Sequence, residues 1–144
     1  MSALGDSLRV VLADTFAMYL KAHNYHWNVE GPDFFEYHGF LDSLYNELWE
    51  AVDAIAEHIR ALDEYSPGSF GRFSELTSIQ DAITIPSGIA MFTILMEDNE
   101  IVLKSLQKAY ALAEKEIGLS NFLQDRTDVH KKHGWMLRST IKNR

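Results

Sequence analysis

His38 and Asp42 stand four residues apart in the 144-residue chain, and Asp53 and Glu57 stand four apart further on. A four-residue step stacks two side chains on one helix face. At about 100° per residue the four positions fall at about 0°, 40°, 60° and 100°, a single narrow stripe. His23 and His26 form an i, i+3 pair just upstream, and His26 falls on an apolar face. Histidine nitrogen with carboxylate oxygen and no sulfur suits iron, manganese or zinc. A lone histidine in such a place is usually a hydrogen-bonded core residue. His26, His38, Asp42, Asp53 and Glu57 together read differently, because burying several carboxylates without cations is very costly.

One metal ion cannot serve the whole stripe within a single helix, since Asp42 and Asp53 lie about 16 Å apart along the axis. However, His38 with Glu57 and Asp42 with Asp53 are both centred between Glu47 and Leu48. Pairing this helix antiparallel with a copy of itself about a two-fold axis sets His38 opposite the partner copy's Glu57, and Asp42 opposite its Asp53. Two equivalent sites result, each drawn from both subunits, as an isologous interface requires. The competing reading is that the stripe carries interface salt links. No Glu is followed three places later by His, so the Glu-x-x-His pair of bundles that hold a di-metal centre within one chain is absent. Zinc-protease, P-loop and nucleophile-elbow motifs are absent too.

The elements that must position these groups are helical throughout. Leu4, Leu8, Val11, Leu12, Thr15, Tyr19, Ala22 and His26 recur at three and four, the stripe of a first long helix. Gly31 and Pro32 end it, and Asp33 with Glu36 predicts a capped start for a second. That helix carries Phe40, Leu41, Leu44, Leu48, Val52, Ile55, Ile59 and Leu62, and stops at Ser66, Pro67 and Gly68. A short helix is expected around residues 74–80. Ser87 predicts the cap of a third long helix with Ile89, Phe92, Leu95, Met96, Val102, Leu103, Leu106 and Tyr110, ending near Gly118. Ser120 predicts the cap of a fourth, with Phe122, Leu123, Val129, Met136 and Leu137. No period-two alternation competes. Four long helices with short loops and one long crossover predict a single all-α four-helix bundle over residues 1–144.

Composition narrows the chemistry further. The chain has no cysteine, which rules out disulfides, zinc thiolate sites, iron–sulfur clusters and thiol catalysis. Its formal charge is −8, a poor balance for nucleic acid and a good one for handling cations. Residues 1–125 hold 7 basic and 20 acidic side chains. Residues 126–144 hold 6 basic (Arg126, Lys131, Lys132, Arg138, Lys142, Arg144) against Asp128 alone. Neither a secretory signal nor an apolar run of membrane-spanning length is visible. The expected protein is soluble and cytoplasmic.

His23, Asn24, Tyr25, His26, Trp27, Asn28, Val29, Glu30, Gly31, Pro32 and Asp33, then His38, Asp42 and Asp53 to Glu57, resemble the Dps family (DNA-binding proteins from starved cells, the mini-ferritins). Asp128, Val129 and His130 through His133, Gly134, Trp135, Met136, Leu137 and Arg138 look like that family's last helix. The resemblance implies a ferritin-like bundle assembling into a hollow dodecamer, with a di-iron or mono-iron ferroxidase centre at each two-fold interface. The implied ligands are His26, His38 and Asp42 of one subunit and Asp53 and Glu57 of its neighbour, with zinc as a surrogate metal. The implied reaction is oxidation of Fe(II), with hydrogen peroxide in preference to dioxygen, and storage of the ferric mineral. Peroxide would then be removed without release of hydroxyl radical. Trp27 matches the family tryptophan beside the iron site, in a redox or a packing role. His23 reads as a support to the site or as surface, and His130 and His133 as structural or interface residues.

Two departures from the family pattern stand out. Residues 1–8 hold no lysine or arginine, whereas family members that bind DNA through an arm carry a lysine-rich one. DNA compaction through the basic segment 138–144, with nucleoid association, is the alternative, as is a structural shell that binds zinc without turnover. In the region matching the family's three-fold iron-entry pore, Glu116 keeps a charge while Asn121 stands where an aspartate is expected.

Overall fold

The computed structural model describes residues 2–142, which form five helices. These are α1 (Ala3–Asn28), α2 (Phe34–Ala61), α3 (Phe70–Leu76), α4 (Gly88–Leu112) and α5 (Ile117–Ile141). Hydroxyls cap three of them. Ser2 accepts from the Gly5 N–H, Ser69 from Arg72 and Ser87 from Ala90, each satisfying an orphan donor of a first turn.

The directions of the helices follow from their cross-contacts. Near the start of α1, Ser2 and Arg9 reach Glu64 beyond the end of α2, while His26 meets His38 at the opposite end; α1 and α2 are antiparallel. Lys21 pairs with Asp98 and Ser105 lies beside Asp14, so α4 also opposes α1. Asn99 with His130 and Tyr110 with Gln124 set α5 against α4. Therefore α4 runs parallel to α2. A parallel pair needs a long return, and residues 62–87 with α3 supply it.

The predicted stripes close on one another and, joined by Met18 and Tyr25, which they did not include, supply the core. Leu8, Leu12, Met18, Tyr25, Leu41, Leu44, Leu48, Ile55, Ile59, Phe92, Leu95, Val102, Leu106, Leu123 and Leu137 are fully buried. Each buried Leu, Ile or Val contributes about 1.5–3 kcal/mol of transfer free energy. Tyr110 departs from its predicted face and is 43% exposed.

Several boundaries differ from those the sequence predicts. Asp33 holds the N-cap position of α2 but makes no side-chain cap bond, because its backbone is near the bridge region rather than extended. α2 ends at Ala61, short of Ser66, with Asp63 in the left-handed region (φ 64°). α3 begins at Phe70 and ends at Leu76 rather than spanning residues 74–80; the Ser69 cap sets its start. α4 ends at Leu112 and α5 begins at Ile117. Gly118 and Ser120 thus lie inside α5, not at a stop and a cap. Between α1 and α2, Gly31 has φ 117°, a conformation glycine adopts without the Cβ penalty. None of these helices is long and apolar enough to cross a membrane.

Candidate metal centre

His26 sits in the last turn of α1 and His38 in the second turn of α2, across the loop of residues 29–33. Their rings stack at 3.8 Å between centroids, 15° from parallel. His26 Nδ1 bonds the His38 carbonyl at 2.9 Å, and His38 Nδ1 bonds the His26 carbonyl at 2.8 Å. A carbonyl only accepts, so both Nδ1 atoms carry the proton and both Nε2 lone pairs stay free. This is the arrangement that orients a metal-ligating imidazole and fixes its tautomer.

Asp42 lies one helical turn beyond His38 and is exposed, as are Asp53 and Glu57 further down α2. The structure therefore joins the two histidines, keeps Asp42 near them and leaves Asp53 and Glu57 at the other end of the same helix. Among the described residues, no three His, Asp or Glu side chains of a single chain gather around one point. The α2 face between the two ends also carries Trp49, 55% exposed.

Aromatic rings flank the histidines. His23 lies flat on Tyr45 (3.8 Å, 8°) and packs against Trp27 at 4.0 Å. Its Nδ1 is 3.0 Å from the Tyr19 hydroxyl. Burial and the neighbouring His26 push the His23 imidazole below its ordinary value, partly opposed by Asp42. Burial, with the nearby Tyr45, raises the Tyr19 phenol. Trp27 is 62% exposed.

Two polar clusters escaped the sequence reading. Lys21 and Asp98 form a buried ion pair at 2.9 Å between α1 and α4, and burial raises the Asp98 carboxyl despite the lysine. Two turns away along α1, buried Asp14 accepts from Thr77 at 2.7 Å. The second cluster joins α2, α4 and α5. Arg126 donates to both oxygens of Glu47, and His133 donates to Glu47 Oε1 at 2.8 Å. Buried His130 accepts from Arg126 on Nε2 at 3.0 Å and donates from Nδ1 to Asn99 Oδ1 at 2.7 Å. Burial and the Arg126 charge drive His130 well below the ordinary histidine range. This is the structural reading of His130 and His133. The signal was present: Asp14, Lys21, Asp98 and Arg126 each stand three or four places from core residues, and His130 stands seven from both Leu123 and Leu137.

The same cluster thins the basic tail, because Arg126 is committed to Glu47. Lys131, Lys132, Arg138 and Lys142 are exposed, while Arg144 lies outside the described residues. At the expected pore, Glu116 and Asn121 flank the first turn of α5 and both are exposed.

A profile of the ferritin-like domain family matches residues 6–144. DNA protection during starvation protein 2 of Bacillus anthracis is 34% identical, over 94% of each chain. The crystal structure of Dps from Staphylococcus aureus superposes with a TM-score of 0.92 at 28% identity, covering 98% of this chain and 96% of that one. A Dps protein from Vibrio cholerae, described as a member of a broad superfamily of ferritin-like diiron-carboxylate proteins, gives 0.92 at 27% identity, covering 96% and 89%. The bundle, with its short helix in the crossover, is the ferritin-like architecture. Within that class, the chain belongs to the Dps family.

Proposed function

We propose that two copies of the chain pack their α2 helices antiparallel about a two-fold axis, and that the pairing completes two identical iron-oxidation sites. Each site takes His26, His38 and Asp42 from one copy and Asp53 and Glu57 from the other. The observation that carries this reading is the reciprocal locking of His26 and His38. It presents two Nε2 donors at the edge of an exposed acidic face that a single chain cannot complete. The exposed Trp49 on that face supports its burial by a second copy.

The substrate is Fe(II) and the oxidant is hydrogen peroxide, with dioxygen a slower substitute. Hard carboxylate oxygens favour Fe(III) over Fe(II), which promotes electron loss, while the imidazoles help to hold the reduced ion. Product accumulates as ferric mineral inside a closed dodecameric shell in the cytoplasm. The name of the Bacillus anthracis relative refers to DNA protection; here that protection follows from removing peroxide and iron together.

The test is ferric absorbance after adding Fe(II) and peroxide to the native assembly, whose mass is measured in parallel. Wild-type protein is expected to oxidise iron well above the buffer blank, and the Asp53→Ala/Glu57→Ala variant to lose the fast phase while remaining helical. Turnover no faster than the blank leaves a shell that merely binds zinc. For DNA compaction, a gel shift across salt decides, and no binding at low salt removes it.

A further inference from the structure

The carboxylate stripe on α2 carries an aromatic ring at one end and a cation at the other. Phe35 and Arg60 are centred between Glu47 and Leu48, the point that also centres His38 with Glu57 and Asp42 with Asp53. With His38 as the zero, they fall at about 60° and 40° around the helix, inside the stripe. Both are exposed, Phe35 at 84%. The Phe35 ring meets Phe34 at 5.6 Å in an edge contact, and Phe34 in turn stacks on His38 at 4.8 Å. At the far end, Arg60 donates to the Glu64 carbonyl at 2.9 Å and sets its guanidinium 4.8 Å from the centre of the Tyr65 ring. Tyr65 is 82% exposed.

We infer that Phe35 of one copy seats against the Arg60–Tyr65 pair of its two-fold partner, once at each end of the joined α2 helices. The inference rests on the antiparallel pairing proposed above, which sets each Phe35 opposite the partner's Arg60. The guanidinium has one face on Tyr65 and offers the other, and a planar, weakly hydrated cation held between two rings gains from both. One chain cannot make this contact alone, since Phe35 and Arg60 stand about 38 Å apart along α2. Gly39 and Ala56 are matched about the same point, and the space that a Cβ would fill at Gly39 is open. The two helices can therefore close until their ends touch. Phe35 precedes His38 by three residues, so the seated ring walls off the outer end of each shared site from water. The contact also fixes the register, because a slip of one turn takes both rings off their cations.

The chain has no cysteine, so thiols can be placed without background. The assembled Phe35→Cys/Arg60→Cys protein is treated with a bismaleimide spanning about 10 Å, the spacing of packed helices, and the linked peptides are mapped by mass spectrometry. A link between positions 35 and 60 of different chains is expected. Asn46→Cys, near the middle of α2, reports the pairing itself through a link between the two copies of position 46. Dissociation on dilution, followed by native mass, then separates a ring–cation contact from burial alone. Phe35→Leu is expected to weaken pairing about tenfold, because each dimer loses two contacts, and Phe35→Tyr to stay within about twofold of wild type. A link at position 46 without one between 35 and 60 overturns the end contact and leaves the pairing standing. Absence of both links overturns the pairing, and the end contact with it. Phe35→Leu pairing as tightly as wild type overturns the role given to Arg60.

Discussion

The imidazoles of His26 and His38 stack at 3.8 Å, and each Nδ1 bonds the other residue's carbonyl. Each ring therefore holds its neighbour's backbone as well as its own orientation. Losing either ring removes one donor and frees the other. His26→Ala and His38→Ala are each expected to weaken Co(II) binding at least about tenfold, by analogy with the loss of a group that orients a ligand. Visible absorbance during a Co(II) titration measures this. Unchanged affinity in both variants would remove the pair from the site.

A site shared between subunits can be repaired by mixing. If each site uses His38 of one copy and Asp53 of the other, a dimer of one His38→Ala and one Asp53→Ala chain keeps one site intact and concentrates both defects in the other. Random reassembly makes half the dimers mixed, so about a quarter of the sites recover. Ferric absorbance before and after dissociation and reassembly measures the gain. Recovery to near zero would count against a shared site.

The Lys21–Asp98 pair is buried on both sides, at 4% and 6% side-chain exposure. Lys21→Met leaves the carboxyl without its cation, an expected loss of about 3–5 kcal/mol, while Lys21→Met/Asp98→Leu recovers most of it. Urea denaturation followed by circular dichroism reads both. A single variant as stable as wild type would show that water reaches Asp98.

Acid should unfold the bundle in two stages. His130 titrates well below 6.5 in the folded chain. The unfolded chain then binds a proton that the folded one refuses, and stability falls as pH drops below about 6.5. Burial raises the Glu47 carboxyl, but hydrogen bonds from His133 and Arg126 more than offset it and hold the group at about 2, against 4.5 when unfolded. Its contribution is complete above pH 4.5 and is lost as pH approaches about 2. His130→Gln is expected to flatten the upper stage and leave the lower one, as urea midpoints across pH would show. A wild-type curve flat between pH 6.5 and 5 would contradict the His130 assignment.

The helices were legible because each long one repeats its apolar residues at three and four, and Ser87 marked its cap correctly. Less legible were the ends governed by backbone angles. Gly118 and Ser120 look like a stop and a cap, yet both continue α5, because the break falls between Leu112 and Ile117 with no glycine or proline in it. The histidines and carboxylates were visible as a stripe. That His26 and His38 touch required knowing how residues 29–33 turn. The Glu47–Arg126–His130–Asn99 cluster was the least visible, since spacing shows that a polar residue faces the core but not which helix answers it.

Gly31 has no side chain to offer the site, and yet it shapes the turn between the two rings. Its φ of 117° sets the angle at which α2 leaves α1, and that angle fixes the gap across which His26 and His38 exchange hydrogen bonds. A side chain there would strain the turn by about 1–2 kcal/mol and splay the rings. At the proposed site, metal affinity would thus be retuned from a position with no ligand side chain of its own.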